Sequence, residues 1–257
     1  MRELIEKLNT SGEAKVALMK RGISKYFTSA MMAGIFVGFG IILIFTIGGV
    51  LQHAPSTKII MGVSFGIALS LVLMAGGELF TGCNFILTVS TLEKRTTWST
   101  TLQLWGLSFV GNFVGSILIA AIYVGTGLPQ GSVADFINSV SSAKMNAPYF
   151  ELFMRGILCN TLVCLAIWCS IKLKDETAKL IMIFWCLFAF ITSGYEHSVA
   201  NMTLLSISLL IPHPDTVSLA GMVHNLIPVS LGNILGGAVI VGVGFWYIAK
   251  EKSAGQA

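Results

Sequence analysis

Apolar and polar positions alternate along the chain on a long scale. Six apolar stretches, with approximate edges at 29–51, 59–91, 100–125, 151–171, 178–211 and 226–249, are separated by short polar segments. A helix that crosses a bilayer needs about 20 mainly apolar residues, so four of these stretches each fit one crossing. The second and fifth are too long for one simple span. Each also carries a glutamate in mid-segment, within a glycine-containing run: Ala75-Gly76-Gly77-Glu78-Leu79-Phe80-Thr81-Gly82 in the second and Ser193-Gly194-Tyr195-Glu196-His197-Ser198 in the fifth. An acid at the centre of a membrane helix costs about 2.5–3.5 kcal/mol on insertion scales, and glycine weakens a continuous helix further. Both segments are therefore predicted to be broken helices. Irregular backbone at membrane depth survives only inside protein or beside a wet cavity. Two breaks in corresponding places point to a site near the midplane.

The halves of the chain correspond. Gly34 in the first stretch matches Gly156 in the fourth, Glu78 matches Glu196, and Gly111-Asn112-Phe113-Val114-Gly115 in the third matches Gly232-Asn233-Ile234-Leu235-Gly236 in the sixth, at offsets of 122, 118 and 121 residues. A nearly constant shift reads as an internal duplication. Three spans per half is an odd number, so the second half must sit upside down. The expected architecture is all-α and aquaporin-like: six transmembrane spans in a 3+3 inverted repeat, residues 29–125 and 151–249, with spans 2 and 5 broken. Residues 29–250 form the channel domain, 1–28 a cytoplasmic N-terminal helical segment and 251–257 a cytoplasmic tail. Glycines four apart (Gly34/Gly38, Gly62/Gly66, Gly111/Gly115, Gly232/Gly236) allow helix backbones to approach closely in lipid.

Composition agrees. Hydrophobic residues make up 54% of the 257, and charged residues only 11%, against roughly 25% in soluble domains. That excludes a disordered chain and argues against a water-soluble globule. Thirteen of the 16 Lys and Arg flank one set of span ends, leaving Lys58, Lys144 and Arg155 for the other. The positive-inside rule then places both termini in the cytoplasm, in a multi-pass protein of the cell (inner) membrane. Residues 1–28 lack the apolar h-region of a signal peptide. Thr10 and Glu13 have capping-box spacing and Gly22 can end a helix begun there. Leu4, Ile5, Leu8, Ala14, Ala17 and Leu18 would form the weak apolar face of a surface helix; a frayed tail is the alternative. The five cysteines, Cys83, Cys159, Cys164, Cys169 and Cys186, lie in apolar stretches without a CxxC pair and read as small buried hydrophobes rather than a metal or disulfide site.

Only Glu78, Glu196 and His197 are ionisable and deep by this reading, and an intramembrane ionisable group is a functional candidate by default. For the glutamates a structural role is favoured over direct transport, because a carboxyl can accept from the free N–H groups of a broken helix. His197 begins the second half of span 5, where backbone N–H groups point out. Its ring can give or take a proton near neutrality; a neutral, hydrogen-bonded core histidine is the bland alternative. Thr81 occupies the related place in span 2. Two half-helix N-termini meeting at the midplane would favour an anion. Asn160 could face the same site or join helices.

Four runs resemble the formate/nitrite transporter family: Gly-Glu-Leu-Phe-Thr-Gly at 77–82, Leu-Cys-Asn-Thr-Leu-Val-Cys-Leu-Ala-Ile-Trp at 158–168, Ser-Gly-Tyr-Glu-His-Ser-Val-Ala-Asn-Met at 193–202 and His-Asn-Leu-Ile-Pro-Val-Ser-Leu-Gly-Asn at 224–233. The likeness extends from about Ser29 to Tyr247. It implies a homopentamer with one pore per protomer. It implies that His197 is the central pore histidine, Thr81 the threonine of the loop in span 2, Asn160 the pore asparagine and Lys144 the vestibule lysine. Phe65, Leu69, Leu79 and Phe190 would narrow the pore, and Glu78 and Glu196 would support the loops. Permeants of such proteins are monovalent anions of weak acids. Glu78, Tyr195 and the run around 185–204 look more like the nitrite branch, so nitrite is expected first, hydrosulfide close behind and formate third, with protons as the other partner and no cofactor.

Two other classes fit less well. A neutral-solute channel would share the broken inverted repeat but usually carries Asn-Pro-Ala motifs, which do not occur here. A haem-holding subunit needs paired histidines within spans, whereas His53, His213 and His224 sit at or near span ends. The basic residues read as orientation signals, not as a nucleic-acid patch.

Overall fold

The computed structural model describes residues 1–52 and 54–250. His53, Lys252 and the expected tail 251–257 lie outside the described residues. Among the described residues every regular element is helical. Helix α1 (Arg2–Arg21) precedes the first span, α2 (Ile23–Leu51). Span 2 is α3 (Thr57–Ser64), α4 (Gly66–Leu71) and a π-helical stretch (Val72–Gly76), interrupted at 77–79 and resumed as α5 (Phe80–Leu92). Span 3 is α6 (Trp98–Gly125), and α7 (Ser132–Met145) leads to span 4, α8 (Tyr149–Lys172). Span 5 is α9 (Glu176–Ser193), interrupted at 194–197 and resumed as α10 (Ser198–Leu210). Span 6 combines α11 (Leu219–Ile234), a second π-helical stretch (Leu235–Val243) and α12 (Gly244–Ala249).

Six helical stretches are long and apolar enough to cross a membrane, while α5 and α10 have 13 residues each. At 1.5 Å per residue a 13-residue helix reaches about 20 Å, short of the roughly 30 Å hydrocarbon core. Both expected breaks are present. Outward faces carry large apolar side chains, among them Phe39, Ile122, Trp185 and Leu231, as lipid requires and water does not.

Two details differ from the sequence expectation. First, α1 runs unbroken through Thr10 and Glu13. The Thr10 hydroxyl donates back to the Glu6 carbonyl at 3.0 Å instead of capping a helix start, so the box spacing has no capping role here. The buried face of α1 is Ile5, Leu8, Asn9 and Gly12, while Ala14 and Ala17 are exposed. α1 is a packed helix: it lies on α5 and α2, and Arg2–Glu93 and Arg95–Glu6 ion pairs bind it to the α5–α6 turn. Trp246 in α12 donates to the same Glu93 at 2.8 Å, which brings α1, the 93–95 turn and the end of span 6 to one face. The Arg2 guanidinium hydrogen-bonded to Glu93 holds that carboxyl below the usual carboxylate range.

Second, the repeat register is not uniform. α2 packs on α6 and α8 on α11, with glycines at both crossings. Gly111 lies against Phe27 and Ala30, and Gly232 against Phe153 and Gly156; Gly115 meets the Met31 carbonyl and Gly236 the Ile157 carbonyl. Each of these pairs puts span 4 at an offset of 126 from span 1. The structural counterpart of Gly156 is therefore Ala30, and that of Gly34 is Asn160. The Gly34–Gly156 match is off by one helical turn, because span 1 has alanine at the position of Gly156 and places its own close-approach glycine at the position of Asn160.

Candidate functional site

The two breaks have nearly the same construction. The first begins at Gly76, with φ 86°, and the second at Gly194, with φ 75°. A side chain is disfavoured in this left-handed region, so glycine permits the sharp exit from the preceding helix. Below Gly76 the Glu78 amide donates to the Ser29 carbonyl at 3.3 Å. Asn112 then closes the loop: its Nδ2 donates to the Ala30 carbonyl at 2.7 Å and the Glu78 carbonyl at 2.9 Å, and its Oδ1 accepts from the Phe80 amide at 2.8 Å. In the second break the Glu196 amide donates to the Arg155 carbonyl at 3.3 Å. Asn233 donates to the Gly156 and Glu196 carbonyls at 2.9 and 3.0 Å and accepts from the Ser198 amide at 2.9 Å. One buried carboxamide per break thus satisfies a carbonyl and an amide that the interrupted helix leaves open, and ties them to a carbonyl of the neighbouring span.

The glutamates are held by side chains rather than by the loop amides. Glu78 accepts from Lys15 of α1 at 2.6 Å and from the Cys83 thiol at 3.5 Å. Glu196 accepts from Lys144 of α7 at 2.7 Å and from Asn201 at 2.6 Å. Asn201 donates as well to Asn225, which donates to the Lys144 carbonyl at 3.1 Å. Each half therefore sends a lysine from a helix outside its spans onto the glutamate of its own break. The repeat unit has four parts: an outer helix, a span, a broken span and a span.

The halves diverge at the residue after the glutamate. Leu79 caps α5 with no side-chain hydrogen bond. His197 caps α10, and its Nδ1 accepts from the Ala200 amide at 3.1 Å. That acceptor role fixes a neutral ring with its hydrogen on Nε2, and Nε2 lies 3.1 Å from Thr81 Oγ1. With the ring donating, the Thr81 hydroxyl keeps its own hydrogen for another acceptor. Asn160 Nδ2 donates to the Thr81 carbonyl at 3.2 Å and the Asn233 carbonyl at 2.6 Å. His197, Thr81 and Asn160 are therefore one cluster, each at most 5% exposed.

A cavity of about 350 Å³ opens beside this cluster, on the side of α7; Lys58, Lys144, Arg155, Phe190, Glu196 and His197 contribute to its wall. The Phe190 ring lies nearly parallel to the His197 ring at 6.0 Å and meets Phe65 edge-on at 5.5 Å. Phe65, Leu69, Leu79, Thr81 and Asn160 are buried behind that wall rather than lining it. Glu78 belongs to the opposite break. Lys144 faces the cavity, but its ammonium is engaged by Glu196.

Several contributing residues were not singled out by sequence reasoning. Asn112 and Asn233 were visible as a repeated Gly-Asn-x-x-Gly, but not as loop clamps. Lys15 was counted only as an orientation charge. Asn201 and Asn225 gave no separate signal. The five cysteines are free thiols, and among the described residues no three His, Cys, Asp or Glu side chains gather into a metal site.

A family model described as Formate/nitrite transporter matches residues 2–247. The chain is 48% identical over 236 residues to the nitrite transporter NirC of Salmonella typhimurium, covering 89% of this chain and 84% of that protein. Among solved structures, an FNT family ion channel superposes with a TM-score of 0.93 at 42% identity, covering 97% of this chain and all of the other. A pentameric formate channel with formate bound superposes with a TM-score of 0.80 at 29% identity, covering 89% and 98%.

Proposed function

Because the chain belongs to the formate/nitrite transporter family, we propose that it is a channel for small monovalent anions of weak acids, with nitrite its main permeant, hydrosulfide next and formate third. It works as a homopentamer in the cell membrane, one pore per protomer, with both termini cytoplasmic. The observation that carries this reading is the cavity that ends on a histidine at a helix break, walled by cations and closed by phenylalanine. The nitrite preference rests on the 48% identity to a nitrite transporter. The pentamer rests on the likeness to a pentameric channel.

The physical problem is desolvation. A bare anion loses far more than a neutral acid on leaving water for an apolar constriction. In this reading the anion enters the cavity down a positive potential and reaches the His197 ring. There the ring, protonated from the aqueous side, gives one proton to the anion, directly or through a water, and returns to the neutral state. The imidazolium can form only by giving up the acceptor role of Nδ1 toward Ala200, so the ring does better to pass the proton on than to keep it. The neutral acid then slips past Phe190, Phe65, Leu69 and Leu79, with the hydroxyl of Thr81 as a hydrogen-bond donor on the way and Asn160 fixing that threonine. It releases its proton on the other side.

Uptake into proteoliposomes, compared for nitrite, hydrosulfide, formate and chloride across pH, tests this. The reading expects saturable uptake of the weak-acid anions, rising as pH falls, with chloride excluded. Equal passage of chloride, or water flux in a swelling assay with no anion flux, would overturn it.

A further inference from the structure

The three basic residues on the α7 side of the molecule all reach one place. Lys58, Lys144 and Arg155 line the same cavity, although they come from α3, α7 and α8. They are not equivalent there. The Lys144 ammonium lies 2.7 Å from Glu196, with side chains 20% and 3% exposed, and Asn225 holds the Lys144 carbonyl. Its charge is neutralised by a buried carboxylate that supports the break. Arg155 pairs with Glu151 one turn earlier on α8, both side chains being near half exposed, and a surface pair of this kind opens at little cost. Lys58 stands exposed in the first turn of α3, with no hydrogen-bond or ion-pair partner among the described residues. α3 and α8 both pack on α9, whose C-terminal end forms cavity wall between them.

We propose that Lys58 and Arg155 form an outer anion-binding station at the mouth of this cavity, built for planar two-oxygen monoanions, and that Lys144, the vestibule lysine by family likeness, acts as a positioning residue for Glu196. This rests on the anion-channel reading above. An ammonium acts as a compact point charge, whereas a guanidinium presents parallel N–H groups that match two oxygens at once. Nitrite and formate offer that pair of oxygens; hydrosulfide and chloride do not. The station raises local anion concentration before the narrow part, so it governs how uptake saturates and not how fast a loaded pore turns over.

The test is initial uptake against anion concentration in proteoliposomes at low ionic strength, for the full-length wild type, K58Q, R155Q, K58Q/R155Q and R155K. The double variant is expected to raise the half-saturating nitrite concentration about fivefold or more with the plateau kept, and the effect should shrink at high salt as screening shortens the reach of the charges. R155K is expected to raise it for nitrite and formate but not for hydrosulfide. Saturable wild-type uptake with an unchanged half-saturating concentration in the double variant would overturn the station alone. An R155K effect equal for all anions would overturn its two-oxygen selectivity. Wild-type vesicles that take up no anion would overturn the channel reading and the station with it.

Discussion

The two breaks share a scaffold and differ in chemistry. Gly76 and Gly194, Glu78 and Glu196, and Leu79 and His197 stand at one constant spacing. Asn112 and Asn233 make the same three bonds, and a lysine from an outer helix meets each glutamate. At the cap position, however, one half has an apolar leucine and the other an imidazole. One turn later Cys83 stands where Asn201 does. In span 4, Asn160 stands where span 1 has Gly34, whose missing side chain lets the Asn112 backbone pack directly against it. The loops are therefore shaped by parts common to both halves, and the polar cluster arises where the halves depart from each other. His197 and Asn160 come from one half and Thr81 from the other, and they meet because the repeat is inverted.

Removing the shared clamp is expected to have the largest effect, and to be alike on both sides. N112A and N233A each leave two backbone groups of a break, one carbonyl and one amide, without a partner. At about 1–3 kcal/mol per group the loss is on the order of 2–6 kcal/mol, seen as a large fall in the thermal midpoint of the detergent-solubilised protein. A small effect in one and a large effect in the other would break the equivalence.

The glutamate pairs should come next, and unequally. Neutralising one partner of a buried pair strands the other charge, at about 3 kcal/mol for a well-buried pair. Glu196 is 3% exposed and also holds Asn201, whereas Glu78 is 12% exposed and is met otherwise by a thiol. E196Q should therefore lower stability more than E78Q, and K144M added to E196Q should recover part of the loss. Equal losses, or no recovery, would count against a supporting role for Lys144.

Much of this was legible beforehand and some was not, for physical reasons. Span number, both breaks and the glutamate correspondence followed from hydropathy and from the energy of an acid in oil. The roles of Asn112 and Asn233 did not, because their partners lie 32 to 82 residues away. Lys15 was hidden by its company: six basic residues crowd positions 2–25, and nothing local separates the one that turns inward. The register of span 4 was misplaced because a glycine reports close approach without saying to what. Thr10 and Glu13 had the spacing of a cap, but a helix already running through them leaves no free amide to cap.

The smallest expected effect concerns the surface anchoring of α1, made by ion pairs where α7 is held by amide hydrogen bonds from Asn138 and Asn146 to the 212–216 loop. The Arg2 guanidinium keeps the Glu93 carboxyl below its usual range. The contribution of that contact is thus complete above the ordinary carboxylate value and is lost as pH falls through the lowered one. E93Q should speed amide hydrogen exchange in the first turns of α1 a few-fold at neutral pH while leaving α7 unchanged. Equal acceleration in both helices would show that the change is not local.

The central claim is that His197 sets the charge state in which the permeant crosses. It is tested most directly by nitrite uptake into proteoliposomes as a function of pH, in the wild type and in H197L, which gives the second break the cap residue of the first. Wild-type uptake should rise as pH falls, and H197L should lose that dependence and take up nitrite at least tenfold more slowly. An H197L protein that keeps both the rate and the pH profile of the wild type would contradict the account.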